Sequence, residues 1–153
     1  AVDQRLIELL ERHLSLMRAA GDVLEESRAR VFAFRARLGG ELSVSERESC
    51  EALTARFARL NDLLLQRLFR VVDQIELVDE GTALDRLQRM EKRGVIPSAE
   101  RWRELRDLRN AIGNDYVMES LDRVLADALA AAPELLATVG ALDAYTKSKS
   151  YAR

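Results

Sequence analysis

One cysteine, Cys50, and one histidine, His13, stand among 153 residues, and that scarcity removes several kinds of chemistry at once. A lone cysteine excludes an internal disulfide and suits a reducing compartment. One cysteine with one histidine cannot build a structural zinc site. His13 lies in the helical stretch LLERHLSLM, away from any motif, and reads as a surface or core histidine. No wholly apolar run reaches the roughly 18–20 residues of a membrane span, and no basic-then-apolar order marks a secretory signal. A cytoplasmic protein with no membrane partner is expected. There is no phosphate loop, no Ser-His-Asp set, and no strand followed by the Gly-Ser and paired acids of a nucleotidyltransferase, so no cofactor is expected. Asp115, Glu119 and Asp122 fall on one helix face, but acids at that spacing near a helix start are usually solvated, and no metal is expected. The net charge of -2 supplies no overall field toward nucleic acid, which leaves only a local basic patch to do so.

What is present is helical. Hydrophobic residues make up 48% and charged residues 33% of the chain, the balance of charged helices around an aliphatic core. From Val2 to Leu38, the residues Leu6, Leu10, Leu14, Met17, Leu24, Val31 and Leu38 recur at helical steps, with Gly39-Gly40 as the stop and Gly21 as a weak point inside. Ser43 with Glu46 has capping-box form. It opens a second stripe, Leu53, Phe57, Leu60, Leu64, Leu68, Val71, Ile75 and Val78, closed by Gly81. Thr82 with Asp85 starts a short helix that Gly94 ends. Ser98 caps a fourth, with Trp102, Leu105, Leu108, Ile112 and Tyr116 on one face. A last stripe, Val117 to Leu142, is interrupted by Pro133, read as a kink or as the first residue of a new helix. The expected architecture is all-α: an antiparallel bundle of two long helices plus shorter ones, one domain over 1–144, with 145–153 a flexible basic tail.

The segment from Leu84 to Tyr116 carries three further features: a short helix running into Gly-x-Ile-Pro-Ser, Trp102 one turn into the next helix, and Arg109-Asn110 ahead of Asp115-Tyr116. In these it resembles the HEPN superfamily, and within it the HepT-like proteins encoded beside minimal nucleotidyltransferases. That family's signature is Arg, four residues, His, one residue, Tyr. Here Arg109 and Tyr116 match, and Asn114 stands where the histidine belongs. The resemblance implies a metal-independent ribonuclease scaffold and a homodimer that brings two motifs over one RNA cleft. It also implies a cognate nucleotidyltransferase partner that transfers AMP to the tyrosine, here Tyr116, as antitoxin to toxin.

The chemistry of those positions is intelligible. Arginine holds a phosphate through paired N–H donors, and a group titrating near neutrality moves the proton of the attacking or leaving hydroxyl. Asparagine forms hydrogen bonds but exchanges no proton at useful pH. Asp115 is the neighbouring carboxylate that would have to substitute, against the tendency of Arg109 to lower its pKa. Three functions stay open on sequence: an attenuated or inactive HepT-like toxin, a non-catalytic binding subunit of a nucleotidyltransferase, and a plain helical dimerisation protein.

Overall fold

A computed structural model describes residues 2–114 and 118–152, and its regular elements are all helical. Helix α1 spans Gln4–Ala33, with the Asp3 carboxylate accepting from the Arg5 amide at its start. A short 3₁₀ turn, Arg35–Arg37, follows. Helix α2 is one long rod in three parts: Val44–Asp62, a π-helical stretch Leu63–Leu68, and Phe69–Ile75. Then come α3 (Ala83–Lys92), α4 (Ala99–Ile112) and α5 (Met118–Ser148).

The helix starts follow from side-chain chemistry. Ser43 and Glu46 form the reciprocal capping box, as do Thr82 and Asp85, while the Ser98 hydroxyl accepts from the Arg101 amide at 3.0 Å. Each of these satisfies amides that a helix start leaves without partners. Helices α1 and α2 run antiparallel, in a register fixed by Arg37 on Glu46 and by Arg56 on Ser27. Between them lie Leu10, Leu14, Met17, Leu24 and Val31 of α1 with Leu53, Phe57, Leu60, Leu64 and Leu68 of α2, all buried. Each such side chain is worth about 1.5–3 kcal/mol on burial. Helix α5 lies along α1, α2 and α4, and Trp102 joins the layers through an edge-on contact with Phe69 at 5.2 Å.

Four expectations need correction. The first helix stops at Ala33 instead of Leu38, because the chain tightens into the 3₁₀ turn. It also continues unbroken through Gly21, which lies beside Leu136 and Val139 of α5 at distances where an added Cβ would make ordinary contacts. Pro133 neither ends nor begins a helix: α5 continues through it, with the proline on the exposed face, where the carbonyl it frees can turn to water. And of the tail expected over 145–153, the described residues 145–152 are not loose. Helix α5 reaches Ser148, Thr146 is fully buried, and the Tyr145 and Tyr151 hydroxyls both donate to Glu76 of α2, at 2.5 and 3.3 Å.

Leu121–Ser148 of α5 is also long and apolar enough to cross a membrane by length and composition, its most apolar stretch reaching a mean hydropathy of 1.5. Leucine and alanine supply that apolarity, and Ala128, Ala131, Ala132, Leu135 and Leu142 are buried in the bundle.

Candidate functional site

The motif sits where α4 ends. Arg109 is in the last turn of α4, Asn110 follows, Gly113 caps the helix and Asn114 leaves it. Arg109 donates from Nε and Nη2 to the two carboxylate oxygens of Asp62 on α2, at 2.7 and 2.9 Å. This paired geometry holds the guanidinium flat against α2, and the hydrogen bonds to Asp62 push the Arg109 pKa up. Its remaining nitrogen, Nη1, lies on the Gly113 side, where a Cβ would approach it to 3.4 Å. The pair is open to water, with 31% of the Arg109 and 43% of the Asp62 side chain exposed, so its contribution to stability is small.

Around this pair are two depressions that share Asp62, Arg67 and Arg109 as a common ridge. One, of about 790 Å³, is polar and is lined also by Gln66, Asn110, Gly113 and Asn114. The other, of about 530 Å³, has a floor of Leu16, Ala55, Ala58 and Leu63, with Arg59 at its edge. Arg59 and Arg67 are exposed and take part in no ion pair among the described residues. The groove therefore presents three guanidiniums to one carboxylate.

The π-helical stretch helps to place these groups. It begins directly after Asp62 and contains Gln66 and Arg67. Its wide turns leave backbone carbonyls short of partners, and Arg86 of α3 donates to the Leu65 carbonyl at 3.2 Å from the far side. Single π turns within α-helices are frequent at functional sites.

Of the residues singled out in the sequence, the structure brings Arg109, Asn110 and Asn114 to one groove. It places Trp102 elsewhere: the ring is buried, and its Nε1 donates to Thr138 of α5 at 3.2 Å, so it anchors α4 on α5. Asp115 and Tyr116 lie outside the described residues, as does the side chain of Glu119. Asp122 lines a separate depression of about 920 Å³, beyond Ile112, together with Leu42, Cys50 and Leu125. Cys50 there is a poor nucleophile, because burial, followed by Glu46, Asp122 and Glu51, pushes its thiol pKa up.

Sequence reasoning missed Arg59, Asp62, Gln66 and Arg67. All four come from α2, far from the motif in the chain, and their only trace is a set of polar residues within RLNDLLLQRLFR. It also set His13 apart from the site. His13 is buried, and its pKa is lowered first by burial and then by Arg67 and Arg12, so the one histidine lies within electrostatic reach of a groove residue and stays neutral.

No protein-family model, no curated protein and no solved structure gives a significant match to this chain.

Proposed function

We propose that the chain is a HepT-like HEPN protein, the toxin half of a pair with a minimal nucleotidyltransferase, whose ribonuclease scaffold is attenuated or inactive because Asn114 replaces the catalytic histidine. The observation that carries this reading is that Arg109 and Asn114, five residues apart in sequence, line one open groove together with Arg67 and Gln66. Arg109 keeps the charge and the N–H pairs needed to hold a phosphate. Asn114 keeps a hydrogen-bonding side chain at the edge of that groove and loses the proton exchange. The missing step is worth about 10²- to 10⁴-fold in rate.

The reading brings three partners: RNA in the groove, a second copy of the chain that shares the Arg109 face, and the nucleotidyltransferase, with Tyr116 as the acceptor of AMP. It places the protein in the cytoplasm. Asn114 itself favours a second reading, a non-catalytic subunit that binds the nucleotidyltransferase and does no chemistry of its own.

The test is RNA cleavage by the purified chain beside Asn114→His, with Arg109→Ala added to the latter. Cleavage gained by about a hundredfold or more with histidine, and abolished by the alanine, is the expected result. Absence of cleavage in every variant, with the nucleotidyltransferase still bound, leaves the second reading. Sedimentation as a monomer at micromolar concentration removes the shared groove.

A further inference from the structure

The two depressions beside Arg109 differ in character, and the difference names a ligand. The polar one offers amides, Gln66, Asn110 and Asn114. The other offers a shallow floor of Ala55, Ala58 and the buried Leu63, bounded by Leu16, whose side chain is 45% exposed and apolar. Small residues on successive turns of α2 make that floor flat, and an exposed leucine beside them gives it a wall. Three cations, Arg59, Arg67 and Arg109, stand at its edges, and two of them lie on the ridge between the depressions.

A flat apolar surface next to paired guanidiniums suits one chemical class well: a planar ring joined through a sugar to a phosphate. The ring loses water on the alanine floor, and the phosphate replaces water around Arg67 and Arg109. A purely anionic ligand would leave the floor unused, and a purely apolar one would strand the cations.

We propose that the Leu16–Ala55–Ala58 floor is a nucleobase subsite and that Arg67 is a phosphate-binding residue beside Arg109, so that the groove takes one nucleoside monophosphate unit, free or within an RNA strand. The strand form rests on the RNA reading above; the subsite itself rests on the floor and the three arginines. Asp62 is then a positioning residue. It occupies the Nε edge of Arg109 and leaves Nη1 toward the Gly113–Asn114 side.

The test is a titration of the full chain at low ionic strength with 5′-GMP, ribose 5-phosphate and inorganic phosphate, following the methyl resonances of Leu16, Ala55 and Ala58. GMP should move those methyl signals and bind about tenfold tighter than ribose 5-phosphate, the difference made by one base face taken out of water against the aliphatic floor. Arg67→Gln should weaken both ligands. Ala55→Leu, at an exposed helical position that tolerates leucine, should reduce GMP to the level of ribose 5-phosphate while leaving the latter unchanged. A short RNA and its counterpart with one abasic unit form the second arm. Floor signals that move with GMP identify a free-nucleotide site; signals that move only with the intact RNA identify a strand unit, and either supports the subsite.

Equal binding of GMP and ribose 5-phosphate, with floor signals unmoved by every ligand, overturns the proposal, and so does unchanged binding in Arg67→Gln. The outcomes also separate from those of the ribonuclease reading. If Asn114→His cleaves RNA equally well with and without Ala55→Leu and no ligand moves the floor signals, the subsite falls and the ribonuclease stands. If GMP moves the floor while Asn114→His is inert, the reverse holds.

Discussion

Two regions of α2 carry arginine against aspartate, and they do opposite things with it. Past the middle of the helix, where the π-helical stretch begins, Asp62 meets Arg109 in an open groove that has arginines to spare. Toward the C-terminal end, Asp73 is fully buried and meets Arg89 at 2.8 Å and Arg93 at 2.7 Å, with Arg86 at 4.0 Å. Arg93 also bridges to Glu76, the carboxylate that receives the two tyrosine hydroxyls of the chain's last helix and its end. In the second cluster the donors converge on Asp73, from which water is excluded, and on the half-buried Glu76 beside it, and the cluster joins α2, α3 and α5. In the first, the cations point outward and remain available. The same pair of residue types is a clamp where it is dry and a binding surface where it is wet, because solvent screening sets what a charge pair is worth.

The largest expected effect breaks the dry side. Asp73→Ala removes the buried carboxylate on which Arg89 and Arg93 converge, leaving Arg93 only the half-buried Glu76, and should cost about 3–5 kcal/mol of stability in urea denaturation. Next, Tyr145→Phe removes a hydrogen bond to a charged group and should cost about 1.5–3 kcal/mol at neutral pH.

The same tyrosine gives that side a pH signature. Burial, and then Glu76, push the Tyr145 hydroxyl from an ordinary 10.0 up to about 12. A raised value means stabilisation complete below pH 10 and lost as the pH rises through about 12, and Tyr145→Phe should flatten that alkaline loss. The wet side should respond at the other end of the scale. His13, next to Arg67, has its pKa lowered from 6.5, so its contribution is present above pH 6.5 and is lost as the pH falls through the lower folded value. His13→Leu should shrink the acid-side slope of a stability-against-pH curve. The smallest effect sharpens the contrast: Asp62→Ala should change stability by about 1 kcal/mol or less. A loss at Asp62 as large as that at Asp73 would erase the distinction between the two regions.

Helix existence was legible in the sequence because it is written locally, in stripes at helical spacing and in Ser43, Thr82 and Ser98 with their partners. Arg109, Asn110 and Asn114 were legible as a group because one helix end carries all three. The groove's other wall was not, since Asp62 and Arg67 reach it only through the packing of α2 on α4, and nothing in a linear spacing reports that packing. The basic tail misled for a related reason. Lys147, Lys149 and Arg153 suggest a frayed end, whereas Thr146 is buried and Tyr145 and Tyr151 both find Glu76, about 70 residues earlier. Leu77 shows the limit in another way: it closes α2 with a φ of 60°, a place where glycine is usual, and it is 90% exposed.

The π-helical stretch also sets how α2 responds to a change in residue count. Each residue of an ordinary helix turns the chain by about 100°, and a wider turn closed from i to i+5 turns it by less per residue, so the stretch holds one residue more than ordinary turns of the same reach would need. Removing one residue between Leu63 and Leu68 would let the wide turns close into ordinary ones while Asp62 and Asp73 keep nearly their present directions, so one straight helix could still serve both clusters. What such a deletion would move is the local placement of Gln66 and Arg67 at the groove. A single-residue deletion should therefore be tolerated far better here than elsewhere in α2, and at the expense of the groove before the fold.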